Sequence, residues 1–146
     1  MNDTIRNFVN SKNIALFGVS SSGKRFGDIA YKTLRDNGYK VMAVHPTIET
    51  FEGDKVYSGI SMFPDKAEAA LICIKPDRAE TVMDDIIGSG IKRIWFQQGA
   101  DFGKSIEKAQ SAGMEVVHGK CIMMYAEPVK GIHSFHRWLW KLFRKY

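Results

Sequence analysis

The fold of this chain is decided by the stretch Ile14-Ala-Leu-Phe-Gly-Val-Ser-Ser-Ser-Gly-Lys-Arg-Phe-Gly27. Its apolar beginning predicts a buried strand, the glycines and serines predict a turn, and residues 28–37 predict a helix. Small residues let a ligand approach the backbone, serine hydroxyls donate hydrogen bonds, and a helix amino terminus presents free N–H groups with a partial positive charge. The stretch therefore indicates a loop that binds phosphate.

Outward from this loop, strands and helices are predicted to alternate. Pro76 suits a first helical turn, and Gly88 or Gly90 ends that helix. Residues 47–64 have weak periodicity and are predicted to form a long loop with a short turn of helix or strand. Strands are predicted over 14–19, 39–44, 69–74, 91–96 and 114–118, and helices over 4–11 with Asp3 or Thr4 as cap, 28–37, 76–88 and 105–112.

This alternation predicts an α/β domain, a three-layer αβα Rossmann-like fold with a five-stranded parallel sheet. The expected strand order is 3-2-1-4-5, which places the ligand beside the first strand, at the carboxyl ends of the strands. Residues 1–125 are assigned to this domain, and residues 126–146 to a basic amphipathic C-terminal helix of the same domain or of an interface. The loops expected to meet at the site are 20–26, 45–47, 75–76 and 97–99.

The net charge of +5 is concentrated in the tail. Residues 126–146 hold five Lys or Arg and one acidic residue, so the rest of the chain is nearly neutral and a general nucleic-acid-binding surface is not predicted. Cys73 and Cys121 have no CxxC spacing, the amino terminus has no secretory signal, and no apolar run approaches ~20 residues. We therefore expect a cytoplasmic protein without a disulfide or a transmembrane segment.

The loop fits two common nucleotide-binding motifs only in part. For a dinucleotide fold, Ser20 stands at the middle glycine of G-x-G-x-x-G, and His45-Pro46 replaces the acid that holds the ribose of NAD. NAD is disfavoured, whereas a nucleotide with an extra ribose phosphate is not. For a Walker A loop the residues up to Lys24 fit, but Arg25 stands where a Ser or Thr hydroxyl binds magnesium, so ATP hydrolysis is not predicted.

A third interpretation comes from an ordered set of short motifs. They are Ala15-x-x-Gly18-x-Ser20, Gly38-Tyr39-x-Val41, His45-Pro46, Gly53-x-Lys55-Val56-Tyr57, Lys75-Pro76, Ile94-Trp95-x-Gln97-x-Gly99 and Cys121. In this order and spacing, over residues 13–124, the chain resembles small bacterial and archaeal CoA-binding proteins. That family is similar to the nucleotide-binding domain of the succinyl-CoA synthetase α subunit.

The resemblance implies that coenzyme A, free or acylated, lies over the carboxyl edge of the sheet. The family usually has Asn-Pro-Lys after the second strand, and Thr47 stands here in place of the lysine, so one expected cation is missing. By position, the residues implied are Gly18, Ser20, Ser21, Ser22, Lys24 and Arg25 for the phosphates, His45, Pro46, Lys75 and Pro76 around the adenosine, and Gln97 and Gly99 beside the pantetheine arm.

The residues also favour CoA on physical grounds. CoA carries a pyrophosphate and a 3′-phosphate, and Lys24, Arg25 and Lys75 supply cations without a ribose-directed acid. No catalytic constellation can be assembled, and the pairs His118 with Cys121 and His133 with His136 are too few for a metal site. The predicted function is a non-catalytic CoA carrier, sensor or regulatory protein. The alternative is an NADP-dependent oxidoreductase or an acyl-CoA-processing enzyme that completes its site with a partner chain.

The tail after Pro128 is predicted to form an amphipathic helix with one apolar and one basic face. We expect this helix to dock on its own domain or on the second subunit of a homodimer. The alternative is peripheral contact with an anionic membrane surface, because basic helices that contain residues such as Trp138 and Trp140 bind such surfaces.

Overall fold

The structure, a computed structural model, describes residues 2–126. The predicted tail helix lies outside the described residues. The helices are α1 (Asp3–Val9), α2 (Phe26–Asp36), α3 (Pro76–Gly88) and α4 (Gly103–Ser111), and 3₁₀ turns span Ile60–Met62 and Ile122–Met124. The strands are β1 (Asn13–Phe17), β2 (Lys40–Val44), β3 (Thr50–Phe51), β4 (Asp54–Lys55), β5 (Ala69–Ile72), β6 (Arg93–Gln97) and β7 (Glu115–Lys120).

Five strands form a parallel sheet in the order β2-β1-β5-β6-β7. The predicted α/β Rossmann-like class is confirmed. Within the sheet, however, the third strand along the chain, β5, lies between β1 and β6, whereas the order 3-2-1-4-5 placed it outside β2. The outer edge of β2 is instead covered by Tyr57, whose N–H donates to the Ala43 carbonyl and whose carbonyl accepts from the His45 N–H, both at 2.9 Å. β5 is buried along its whole length, as central parallel strands are.

The sheet separates two apolar cores, which makes the fold three-layered. On one face α1 and α2 pack against β1, β5 and β6, and the Phe8 ring lies edge-on to Trp95 with centroids 5.2 Å apart. On the other face α3 and α4 cover the sheet through Ala79, Met83, Ile86 and Ala109. The crossover helices thus fix the sheet so that the carboxyl ends of β1, β5 and β6 lie side by side.

Two local predictions need correction. α1 is capped by Asn2, whose Oδ1 accepts from the Ile5 N–H at 2.8 Å, and neither Asp3 nor Thr4 is the cap. The segment 47–64 holds both a short hairpin, β3 with β4, and a 3₁₀ turn, where one short element was expected. Across residues 2–126, no helix has the length and apolar character needed to cross a membrane.

Candidate functional site

The loop between β1 and α2 is closed by two glycines that allow an unusually close approach of backbone segments. Gly18 has φ +142°, and a Cβ there would lie 2.7 Å from Cys73 Cβ and 2.8 Å from the Cys73 carbonyl oxygen. A Cβ on Gly27 would lie 2.2 Å from the Gly18 carbonyl oxygen. Only glycine fits at either position, so α2 begins directly against the ends of β1 and β5.

A buried carboxylate holds the loop in shape from beneath. Asp28, in the first turn of α2, has no exposed surface. Its Oδ1 accepts from the Ser20 N–H at 2.6 Å, and its Oδ2 accepts from the Arg25 N–H at 3.1 Å and from the Ser20 hydroxyl. Both donors of Ser20 are therefore directed inward, and the two ends of the loop are tied to one side chain.

The outer rim of the loop carries hydroxyls and cations. Ser21, Ser22, Lys24 and Arg25 are exposed. The Ser22 hydroxyl lies 3.0 Å from the Ser20 hydroxyl and accepts from the Lys24 N–H at 3.2 Å. A Lys32 ammonium donates to the Gly23 carbonyl at 3.3 Å. The rim is thus positively charged above a fixed backbone, an arrangement suited to an anion.

A cleft of about 540 Å³ opens beside this loop at the carboxyl ends of β5 and β6. We call it the strand-end cleft. Gln97 is buried and its Oε1 accepts from the Ile122 N–H at 3.1 Å, which anchors the end of β6 to the turn that follows β7. The residues that line the cleft are Phe26, Ile72, Cys73, Ile74, Lys75, Pro76, Gln97, Gln98, Gly99, Ala100 and Phe102.

The two cysteines near this cleft are poor nucleophiles. Burial, with a smaller contribution from Cys121, raises the pKa of the Cys73 thiol far above its ordinary value. Burial also raises the pKa of Cys121, although a hydrogen bond with Gln97 opposes the shift. Both thiols are therefore protonated at neutral pH.

A second cleft, of about 640 Å³, lies beyond the carboxyl end of β2, and we call it the β2-edge cleft. His45 shapes it, because its Nδ1 accepts from the N–H groups of Thr47 at 3.1 Å and Ile48 at 3.0 Å. Burial first, and then the charge of Arg78, lower the pKa of His45. The ring is therefore neutral near pH 7 with its proton on Nε2, and this N–H is a donor. The lining residues are His45, Pro46, Thr47, Ile48, Glu49, Thr50, Gly53, Lys55, Val56, Tyr57, Ser58 and Met62.

The predicted site residues fall into three neighbouring places. Gly18, Ser20, Ser21, Ser22, Lys24 and Arg25 form the loop, Lys75, Pro76, Gln97 and Gly99 line the strand-end cleft, and His45 and Pro46 line the β2-edge cleft. The packing of Gly18 against Cys73 and the presence of Phe26 in the strand-end cleft join the first two places. Arg78, whose charge contributes to the lowered pKa of His45 in the β2-edge cleft, lies in the first turn of α3.

Several residues of this region escaped the sequence interpretation. Asp28 was predicted only as the first residue of a helix, although its position three residues after Arg25 fits a side chain that caps the helix start. Arg78 is one helical turn after Lys75, and this spacing could have suggested that Arg78 lies on the same side of the helix as Lys75. Lys55, with its ammonium 5.4 Å from the Tyr57 ring centroid, reaches the β2-edge cleft only through the hairpin, which the sequence did not reveal.

Within residues 2–126, no three His, Cys, Asp or Glu side chains are grouped so that they could hold a metal ion. The described site is therefore one of hydroxyl, amide, ammonium and guanidinium groups around an apolar cleft. Such donors suit a phosphate-bearing organic ligand.

Comparison with known proteins places the chain in a family. A family model described as "CoA binding domain" matches residues 12–127. The chain is similar to the uncharacterized protein YneT of Bacillus subtilis (strain 168), with 24% identity over 112 residues, which cover 77% of this chain and 83% of that protein. It is also similar to the structure of a hypothetical protein from Pyrococcus horikoshii OT3, with 32% identity, a TM-score of 0.78 and coverage of 84% of this chain and 87% of that one.

A larger protein contains a similar unit. The structure of dinucleotide forming acetyl-coenzyme A synthetase 1 from Ca. Korarchaeum cryptofilum shares 28% identity and a TM-score of 0.67, over 77% of this chain and 27% of that chain. The similarity thus concerns about a quarter of the synthetase. Because the family model covers nearly the whole described range, this chain belongs to the CoA-binding domain family.

Proposed function

We propose that this protein binds coenzyme A or an acyl-CoA and acts as a non-catalytic carrier, sensor or regulatory protein. The observation that carries the proposal is that the cation-rimmed loop meets the strand-end cleft where the connections after β1 and β5 leave to opposite faces of the sheet. In α/β sheets this point, where connections leave to opposite sides, is where ligands bind. Membership of the CoA-binding domain family supports the same ligand.

In this proposal the loop receives the pyrophosphate. Ser21 and Ser22 offer exposed hydroxyls, and Lys24 and Arg25 offer exposed cations above a backbone that the Asp28 carboxylate holds in place. Hydrogen bonds to charged groups contribute about 1.5 to 3 kcal/mol each, less where salt screens them. Gly18 and Ser20 contribute through the shape of the loop.

The remaining parts of the ligand occupy the two clefts. The pantetheine arm lies in the strand-end cleft beside Gln97 and Gly99, and the adenosine lies between the turns that contain Pro46 and Pro76. The lysine that the family usually has at position 47 is Thr47 here. Lys55, which lines the β2-edge cleft, supplies a cation for the 3′-phosphate in its place.

The proposal assigns no bond-making step to this chain. The two thiols nearest the strand-end cleft are held protonated by burial, and His45 already accepts two backbone hydrogen bonds on Nδ1. The loop and clefts supply binding groups, which is the chemistry of a carrier or sensor.

Thermal-shift measurements with CoA, acetyl-CoA, dephospho-CoA, NADP and ATP test the proposal. We expect CoA to raise the melting temperature more than dephospho-CoA does, because only CoA has the 3′-phosphate, and more than NADP or ATP do. A larger shift with NADP would overturn the proposal in favour of an oxidoreductase. Equal shifts with CoA and dephospho-CoA would show that the protein makes no stabilising contact with the 3′-phosphate.

A matched pair of variants tests the loop. Lys24→Ala should weaken CoA binding about tenfold in a calorimetric titration, since it removes one charge-assisted contact. Lys92→Ala is the control, because Lys92 is also exposed but precedes β6 at the opposite edge of the sheet. The same dissociation constant for Lys24→Ala and the wild type would exclude Lys24 from the site.

A further inference from the structure

The amino terminus of α2 already holds an anion of the protein's own. In many nucleotide-binding loops this terminus binds the ligand phosphate through free backbone N–H groups. Here the Asp28 carboxylate sits beneath the loop, fully buried, and accepts from the N–H groups of Ser20 and Arg25. Within residues 2–126, its hydrogen-bond donors are uncharged and no Lys or Arg side chain forms an ion pair with it.

We infer that Asp28 is a specificity-determining residue that keeps small free anions off the loop and reserves the loop for a phosphate held by the rest of a nucleotide. The inference rests on the proposed function in taking this loop as the phosphate site. The carboxylate accepts hydrogen bonds from two backbone N–H groups that would otherwise be free to bind an anion. Its negative charge also repels a phosphate bound above it.

The consequence differs between ligands. Inorganic pyrophosphate contacts only the loop, so it has no other contacts to compensate for the repulsion by Asp28. A nucleotide also makes contacts in the strand-end cleft and the β2-edge cleft, and those contacts offset the repulsion. The repulsion lowers both affinities by a similar factor, but only the full ligand gains enough binding free energy from the two clefts to occupy the loop, and compact anions do not.

The test compares binding of inorganic pyrophosphate by the wild type and by Asp28→Asn, an isosteric change that removes the charge. We expect Asp28→Asn to bind pyrophosphate about tenfold more tightly in a calorimetric titration at low salt, and the difference to shrink at high salt. The control is Asp36→Asn, which removes an equal charge from the opposite, exposed end of the same helix and should leave the affinity unchanged. Equal or weaker binding by folded Asp28→Asn would overturn the inference.

A measurement on the wild type keeps the inference testable if Asp28→Asn fails to fold. Amide hydrogen exchange of Ser20 and Arg25 should be slow without ligand and unchanged by CoA, because Asp28 already holds both N–H groups. The amides of Ser21 and Ser22 should respond to CoA. Protection of Ser20 and Arg25 that appears only with ligand would refute the role of Asp28.

The two proposals fail in different ways. Absence of CoA binding by the wild type would refute the proposed function, yet tighter pyrophosphate binding by Asp28→Asn would still support the inference. Conversely, wild-type binding of CoA with no change in pyrophosphate affinity for Asp28→Asn would leave the proposed function standing and remove the specificity role of Asp28.

Discussion

Substitution of Gly27 by alanine should destabilise the protein, although alanine is the better helix former. Gly27 lies in the first turn of α2, and its added Cβ would lie 2.2 Å from the Gly18 carbonyl oxygen and 2.6 Å from the Gly18 carbonyl carbon. Gly18 cannot move away, because it is itself packed against Cys73. The helix must therefore shift by close to an ångström from the ends of β1 and β5.

The magnitude follows from two opposing effects. Overpacking of a rigid site typically costs about 1 to 3 kcal/mol. Gly27→Ala should lie at the upper end, because the added Cβ meets backbone atoms of Gly18 and not a flexible side chain. Replacing a helical glycine by alanine gains about 0.5 to 1 kcal/mol. We expect a net loss of about 2 kcal/mol in the free energy of unfolding and a fall of roughly 4 to 8 °C in melting temperature.

Urea denaturation followed by far-UV circular dichroism measures this loss. The matched control is Gly88→Ala at the end of α3, where no atom lies within 4 Å of the added Cβ and the substitution should stabilise the protein by a few tenths of a kcal/mol or more. A Gly27→Ala variant as stable as the wild type would refute the close approach of α2 to β1. The change should also weaken CoA binding, since the loop between the two elements must move.

Two further predictions concern titratable groups. Folding lowers the pKa of His45, so below about pH 6.5 the unfolded chain binds a proton at this ring that the native protein does not. The stability of the protein should therefore be full above that pH and fall as the pH decreases below it. Urea denaturation at pH 7.5 and 5.5 should show a smaller loss for His45→Asn, whose Oδ1 also accepts hydrogen bonds, and an identical loss would contradict the assignment. Burial should keep Cys121 almost unreactive toward a maleimide at pH 7 in the native protein and reactive after unfolding, as mass spectrometry would show; rapid native labelling of Cys121 would contradict its burial.

The alternation of strands and helices could be predicted because each element has a local pattern of apolar, Gly and Pro residues. Apolar runs bounded by Gly and Pro predicted the strands of the sheet, and the spacing of Ala79, Met83 and Ile86 predicted α3. The order of the strands could not be predicted in the same way. The order rests on pairing between segments far apart in the chain: β5 pairs with β1, and Tyr57 covers the outer edge of β2.

The candidate site shows the same division. The glycines, serines and cations of the loop were visible in the sequence, as were the Lys75-Pro76 and Gln97-Gly99 turns, because each follows a predicted strand. The buried hydrogen bonds from Ser20 to Asp28 could not be predicted, since a carboxylate at a helix start can also be an exposed cap. Of the β2-edge cleft, the turn with His45 and Pro46 was predicted but the place of Lys55 was not, because the hairpin that brings Lys55 there has only two residues in each strand.

Hydrophobic period and turn chemistry are properties of neighbouring residues, so the α/β class of this protein and the loops at which a phosphate-bearing ligand is expected follow from local patterns in the chain. The tertiary structure alone decided that β5 lies beside β1, that Gly18 and Gly27 must both lack side chains, and that the helix amino terminus below the loop is filled by Asp28. These features arise from contacts between segments far apart in the chain or across a turn, and a close approach of backbones leaves no periodic mark in the sequence.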